Sequence, residues 1–523
     1  MTSGFERRLS QLQTAEARAA LRNIRHGIEK ESLRVDRNGK LAQTPHPEAF
    51  GPAMTHPAIT TDFSEALLEL ITPVDPSIES SLETLDLIHR QVCESLDEEL
   101  LWAASMPCPL QNDEHIPVAR YGDSNTAKMK TVYRLGLGER YGRRMQTIAG
   151  IHYNFSLPDE LWPLLGMDNQ GSLKANRTEA YFRLIRNFRR YSWLLIYLLG
   201  AAPAVCGSFI RGRDHQLSEI APHSFGQTFA TSLRMGDLGY QSNAQSQLNI
   251  CYNTLDNYVN TLKQAISTPH PEYQKLGVKR DGSHIQLNDG LLQIENEFYS
   301  PIRPKRVTAS GETPLGALKR DGVEYIEVRC IDVNPEHPLG IDADSCYFLD
   351  AFLLYCLLQD SPLCDDKDNR SQRDNLLSVV NQGRQPSLML SDKGNSRELG
   401  TWAEELLSGI AGCADLLDSA NDCAHYSSAL KQKQLHLQHP DMLPSAKLIA
   451  EMQQRQISWF ELALERSESH FDHFKSRPLN AQEKQAAGAV RDEALEKWRA
   501  VEAQSSGSFD DHLRDYYKQY DAL

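Results

Sequence analysis

The stretch GIEKESLRV, Gly27 to Val35, alternates with a period of two and runs on to the turn dipeptide Asn38-Gly39. That is the pattern of a strand entering a hairpin. Successive side chains of a strand point to opposite faces, so Glu29 and Glu31 share one face with Leu33 and Val35. Residues 5–26, just upstream, are helical in period. Further along, ALLELIT (66–72), GIHYNFSL (150–157), LLQIENEFYSPIR (291–303) and VEYIEVRCIDV (323–333) read as strands, and 77–102, 176–200 and 256–267 as helices. Strands mixed with helices in no regular βαβ rhythm predict an α+β fold with a largely antiparallel sheet.

From about residue 360 the pattern changes. DSPLCDDKDNRSQRDN reads as a polar loop, and long helical patterns such as LPSAKLIAEMQQRQISWFELALE follow. The expectation is a catalytic body over 1–358 and a mostly helical extension over 359–523 packed on it, with the tail QSSGSFDDHLRDYYKQYDAL peripheral.

With 55 Lys+Arg against 70 Asp+Glu the net charge is -15, which repels phosphate backbones and anionic lipid and disfavours nucleic-acid binding. The N-terminus lacks the apolar core of a secretory signal. The longest apolar run, Trp193 to Gly207, is broken by Pro203 and falls short of the ~20 residues a membrane span needs, so it reads as a buried helix. The ten cysteines show no CxxC spacing and several lie in apolar stretches, as core thiols of a cytoplasmic protein do.

Chemistry enters through the polar faces of the strands. In GIHYNFSL, Ile151, Tyr153, Phe155 and Leu157 point one way and His152, Asn154 and Ser156 the other; in EYIEVRCIDV, Glu327 and Arg329 oppose Ile326, Val328 and Cys330. Glu69 is the only charged residue of ALLELIT, and Asp62 lies just upstream. Were these faces to converge, carboxylates ~4 Å apart would repel by about 4 kcal/mol at an effective dielectric near 20, and a divalent cation is the natural remedy. Carboxylates with one imidazole suit Mg²⁺ or Mn²⁺ better than structural zinc. No P-loop, GxGxxG, HExxH, GxSxG or kinase HRD set occurs, so a nucleotide site would rest on metal and arginines, with Arg134, Arg234 and Arg329 as candidates. GLGERYG (136–142) reads as a turn. His470 and His473 read as a solvated helix face, and the basic run IRPKR (302–306) is too short to argue for nucleic acid.

The blocks GIEKESLRV, THPAITTDFSEALLELITP, SMPC, MQTIAGIHYNFSLP, ATSLRMGDLGY, LQIENEFYSPIRPKR and GVEYIEVRCIDVNP together resemble, in order and spacing over about residues 20–340, the proteobacterial type of glutamate–cysteine ligase. The resemblance implies a curved, mainly antiparallel sheet forming a funnel, similar to the glutamine synthetase catalytic domain. It also implies ATP-dependent amide formation between the γ-carboxyl of L-glutamate and the amine of L-cysteine through γ-glutamyl phosphate. Around Mg²⁺ it would place Glu29, Glu31, Asp62, Glu69, His152 and Glu327, with Arg329 stabilising phosphoryl transfer beside Glu327. For the cysteine acceptor it points to Tyr133, Arg234, Tyr240 and Tyr299, with Gln146 and Ile148 nearby, and to Arg134 as a substrate-anion contact. A related ligase with another acceptor amine, and a metal-dependent hydrolase, are the alternatives. The expected partners are small molecules, with no nucleic acid and no membrane, and the chain is expected to be a monomer or weak oligomer.

Overall fold

The computed structural model describes residues 4–165, 171–238 and 248–523. Its centre is a seven-stranded sheet built around one long strand, β1 (Arg25–Asp36), whose neighbours are β2 (Ile59–Thr61), β3 (Leu67–Ile71), β4 (Glu99–Leu101), β5 (Ile151–Ser156), β6 (Ile302–Lys305) and β7 (Tyr325–Ile331). The order is β6-β7-β5-β1-β3-β2, with β4 pairing the end of β1, and every pairing is antiparallel, as the α+β reading expects. At twelve residues β1 is long enough to pair with three partners: β5 along its first half, β3 in the middle and β4 at its end. The turn at Asn38-Gly39 closes as predicted, with Gly39 at φ 71°, where a side chain would be strained. The Asp36 amide donates to the Lys40 carbonyl at 2.8 Å.

The apolar face of the sheet is covered by helices. α3 (Ile78–Ser95), α5 (Leu173–Leu199) and α8 (Ala343–Leu358) form that layer, and α8 is buried continuously from Cys346 to Leu358. α1 (Gly4–Gln11) and α2 (Ala15–Leu21) precede the sheet, α4 (Asn125–Tyr141) leads into β5, and α6 (Leu255–Ser267) and α7 (Pro314–Asp321) lie between β5 and β7 in the chain. After α8 come α9 (Asp366–Gln382), α10 (Leu399–Asn421), α11 (His425–Gln438), α12 (Pro444–Arg455), α13 (Trp459–Lys475), α14 (Ala481–Gln504) and α15 (Phe509–Asp521). Among the described residues no helix is long and apolar enough to cross a membrane, and the run from Trp193 is the buried end of α5. All ten cysteines are free thiols.

Several local expectations are corrected. The helical period over 5–26 is broken at Leu12–Thr14, where Thr14 caps α2, and β1 begins at Arg25. The stretch 77–102 ends its helix at Ser95, and 99–101 turn back as β4. In 291–303 only Ile302 onward is strand; Glu295–Glu297 form a turn of 3₁₀ helix with both glutamates buried, and the remainder is irregular. GLGERYG is no turn but the end of α4, with Gly142 at φ 84° closing it. The polar segment after 360 becomes α9 from Asp366 through a capping box between Asp365 and Asp368. His470 is half-buried and borders a small space with Lys30, His89 and Cys93, whereas His473 is exposed.

Polar groups also pin α8 to the sheet. Asp350, fully buried, accepts the Tyr153 hydroxyl at 2.8 Å and lies 2.7 Å from His26 Nε2. Burial works against a charged His26, but the Asp350 carboxylate outweighs it and raises the imidazole above its usual value. A histidine raised on folding contributes stability in full below about pH 6.5, and that contribution fades as pH rises through the folded value. Asp350→Ala, which strands His26 and Tyr153, should cost about 3 kcal/mol in denaturant unfolding at pH 6, with a smaller loss at pH 9.

Candidate active site

Register brings the acids together. On β1 and β3, Glu31 pairs directly with Glu69; on β1 and β5, Glu29 pairs with His152; on β5 and β7, Asn154 pairs with Glu327; and on β7 and β6, Glu327 pairs with Arg303. All of these side chains leave the sheet on the face opposite the helices. His152 is the hub: its Nδ1 lies 3.1 Å from Glu29 Oε2 and 4.0 Å from Glu327 Oε1, and its Nε2 lies 3.6 Å from Glu31 Oε1. Two sets of ligand atoms, Glu29–His152–Glu327 and Glu31–Glu69–His152, each fall within 4.8 Å of one another. Asp62, at the start of the loop after β2, faces the same cluster through its charge on Glu31 and Glu69.

The charge is uneven across this surface. Burial would raise the Glu327 carboxyl, but Lys305 Nζ at 3.4 Å from Oε1, Arg329 Nη1 at 3.1 Å from Oε2, and then His152 and Arg303 hold it well below the usual range. Glu29 is likewise lowered against its burial, chiefly by its hydrogen bond with His152, and Asn154 Nδ2 donates to its other oxygen at 2.8 Å. At the other end no cation compensates so fully. Burial and then the charges of Glu29, Asp62 and Glu31 push Glu69 well above its ordinary value, and burial together with Asp62 raises Glu31. An oxygen-rich set with one imidazole, short of positive charge on one side, is the donor chemistry that suits Mg²⁺ or Mn²⁺.

The glutamate–cysteine ligase family model matches residues 9–379 of the chain. The chain belongs to the glutamate–cysteine ligase family. It is 49% identical over 522 residues to the glutamate–cysteine ligase of Azotobacter vinelandii, covering 99% of this chain and 98% of that one. It is 48% identical over 518 residues to that of Pseudomonas aeruginosa LESB58, with 99% and 98% covered. Among solved structures it superposes on the glutamate–cysteine ligase of Francisella tularensis in complex with AMP at a TM-score of 0.90, with 36% identity over 96% of this chain and 98% of that chain. It also matches a bifunctional glutathione synthetase from Pasteurella multocida at a TM-score of 0.73 and 25% identity, over 91% of this chain and 55% of the other.

The remaining sequence-chosen residues of the ligase divide into those beside the acids and those set back. Arg234 is buried, its Nη2 donating to the Arg329 carbonyl at 2.8 Å and its Nη1 lying 3.8 Å from Asp332. The guanidinium passes so close to Gly150 that an added Cβ would sit 1.9 Å from Nη2, which explains a glycine there. Gly150 in turn donates its amide to Glu31 Oε2 at 2.6 Å, so Arg234 and Glu31 adjoin. Tyr299 lies beside Arg234 and donates to Met235 Sδ at 2.9 Å; burial pushes its hydroxyl up to about 12. Tyr133 is half-buried on α4, within the electrostatic reach of Glu297, Arg303 and Arg134. Arg134 donates to the Asp62 carbonyl and stacks 4.6 Å from the Tyr121 ring. Gln146 is half-buried in a 3₁₀ turn, and Ile148 is buried in the main core close to Gly150. Tyr240 lies outside the described residues.

Two cations were missed from sequence. The first four residues of IRPKR form β6, and their alternation places Arg303 and Lys305 on the acidic face while Ile302 and Pro304 face the core. The signal was the alternation of charge inside the run, which a reading by net charge passes over. A separate cavity of 1020 Å³ lies between residues 43–53, 117–122 and α14, and its lining includes none of the converging acids.

Because Glu31 and Glu69 face each other as like charges, Glu69→Gln should stabilise the ligand-free ligase by about 1 kcal/mol. The cost of ionising a raised carboxyl is absent below the ordinary carboxylate range and grows as pH rises, so the gain belongs at pH 8 and vanishes near pH 4. Thermal unfolding at both pH values checks it.

Proposed function

We propose that the acidic face of the sheet is where this ligase joins the γ-carboxyl of L-glutamate to the amine of L-cysteine at the expense of ATP. The convergence in register of β1, β3, β5 and β7, with Arg329, Lys305 and Arg303 on its β6–β7 flank, is the observation that carries this placement. Glu29, Glu31, Asp62, Glu69, His152 and Glu327 would hold Mg²⁺. Bound there, the cation neutralises phosphoryl oxygens and aligns donor and acceptor for transfer.

A carboxylate resists attack by an amine until one of its oxygens becomes a leaving group. Its γ-oxygen therefore attacks the terminal phosphorus of ATP, the bond to the β-phosphate oxygen breaks, and ADP leaves γ-glutamyl phosphate behind. Arg329 is placed to meet the charge on the transferring group, because Glu327 and the His152 ring 3.4 Å from its Nη1 fix the guanidinium while leaving it partly open. Lys305 and Arg303 add charge along β6. The amine of cysteine then attacks the acyl carbon, the tetrahedral oxyanion collapses, phosphate departs and the amide forms. Arg234 and Tyr299, with Tyr133, Gln146 and Ile148, form the acceptor side, where a guanidinium suits the cysteine carboxylate. Arg134 contacts a substrate anion. Residues 1–358 carry this chemistry and residues 359–523 buttress it. The ten unpaired thiols suit a reducing, cytoplasmic setting. The relatives are ligases, and the hydrolase alternative is set aside.

ADP release should require Mg²⁺, L-glutamate and L-cysteine together, with γ-glutamylcysteine identified by mass; preference for another amine would overturn the acceptor assignment. Glu327→Gln should lower kcat by about 100-fold or more with an unchanged circular dichroism spectrum. Full activity in that variant would remove Glu327 from the metal set.

A further inference from the structure

Helix α15 lies beyond the residues matched by the family model, and its polar sequence predicts a peripheral position, yet it packs on α4 beside Tyr133, one of the acceptor-side residues proposed above. Leu513 is buried with Val132 of α4 and Leu287 in a small core of its own, and Phe509 and Tyr517 pack against that core together with Tyr133. Two tyrosine hydroxyls then reach the segment that leads to Tyr299. Tyr517 donates to the Gln293 carbonyl at 2.9 Å, and the buried Tyr520 donates to Glu295, whose other oxygen accepts the Leu315 amide at 2.8 Å.

Gln293 passes this restraint to α4. Fully buried, it donates through Nε2 to the Tyr133 carbonyl at 3.2 Å and accepts the Leu287 amide at 2.9 Å. Only a glycine fits where α4 crosses it, since a Cβ on Gly136 would lie 2.1 Å from Gln293 Oε1. The chain just before α15 grips the start of α4 as well. Glu502 accepts the amides of Asp123 and Ser124, each at 3.0 Å, and Ser505 Oγ accepts that of Asn125 at 2.9 Å. The last residue closes the strap, Lys263 Nζ donating to the Leu523 carbonyl at 2.9 Å.

We propose that residues 502–523 act as a strap that positions the acceptor pocket, with Tyr517 and Tyr520 as positioning residues that set the placement of Tyr133 and Tyr299 and thereby the affinity for the amine substrate. This rests on the reading of Tyr133 and Tyr299 as acceptor-side residues. The strap bears directly on α4 and the 293–299 segment, which carry Tyr133 and Tyr299, and reaches the phosphoryl and metal end at one remove, through Arg303, whose Nη2 donates to the Asn296 carbonyl at 2.8 Å, and through Arg134 of α4, which donates to the Asp62 carbonyl; its effect therefore falls chiefly on the amine substrate.

The test is a comparison of KM values for L-cysteine, L-glutamate and ATP, with Tm, in Tyr517→Phe/Tyr520→Phe, in Tyr299→Phe and Tyr133→Phe, and in Lys518→Ala, an exposed position on α15 whose ammonium pairs with Asp515 on the same helix. Loss of two hydroxyl bonds should raise the cysteine KM of the double variant roughly threefold to tenfold, leaving the glutamate and ATP values within about twofold. Lys518→Ala should match the unmodified ligase. An unchanged cysteine KM in the double variant, or an equal shift of all three constants with a lowered Tm, overturns the strap as a positioning device. Should Tyr299→Phe and Tyr133→Phe both leave the cysteine KM unchanged, the acceptor reading itself fails, whatever the strap variants do.

Discussion

Glu31 and Glu69 sit directly opposite each other on neighbouring antiparallel strands, a pairing that costs folding free energy, and the rest of the site is arranged around that repulsion. Register makes it unavoidable: a shift of one residue on β1 would send Glu29 and Glu31 into the helical layer and bring Lys30 and Ser32 to the front. The compensation is asymmetric. Lys305, Arg329 and Arg303 neutralise the Glu327 end, whereas the Glu69 end keeps its excess negative charge and stays raised. A surface that is cation-rich on one flank and anion-rich on the other is what a reaction between a polyphosphate and a carboxylate needs. In the proposed reaction one end would meet phosphate oxygens directly, while the other calls for divalent cations.

Holding such a surface open requires a rigid back. β1 carries its own counterweight, because Lys30, between the two acids in sequence, points the other way and lies 2.8 Å from His89 Nε2, burial lowering its ammonium to about 7. Asp350 ties α8 to β1 and β5 through His26 and Tyr153. Side chains of the same strands thus alternate between a repulsive front and a bonded back, so strain at the front is borne by contacts the substrates never touch. The C-terminal helices extend this principle to the front, with α15 buttressing α4 and the 293–299 segment.

The acidic face was legible because each strand signalled it separately. GIHYNFSL and EYIEVRCIDV alternate strictly, and a lone Glu69 among leucines marks a polar position on an apolar element, so both faces of the sheet could be assigned before any pairing was known. Arg303 and Lys305 were legible only in principle, since IRPKR reads first as a short run of net positive charge; the edge position of β6 is what tolerates Pro304 between them. LLQIENEFYSPIR misled because its alternation is real but its alternate residues, Glu295 and Glu297, bond inward, to Tyr520 and Leu315 and to Arg140 and Tyr141, instead of facing a strand partner. The tail misled for a related reason. Its charged residues are on the surface, while Phe509, Leu513 and Tyr517, four residues apart along one helical face, find a cluster that only the folded chain provides.

Local periodicity by itself determined that β1, β3, β5 and β7 are strands, which of their faces is polar, and that the acids would need cations if they met, because alternation and charge are properties of neighbouring residues. Family membership too was written in the order and spacing of short blocks. Whether the acids meet at all, which of them are neutralised, and that α15 reaches α4 and the 293–299 segment were decided only in the tertiary structure. Those outcomes depend on register between strands far apart in sequence and on distances of 3–4 Å between charges, which no linear pattern encodes.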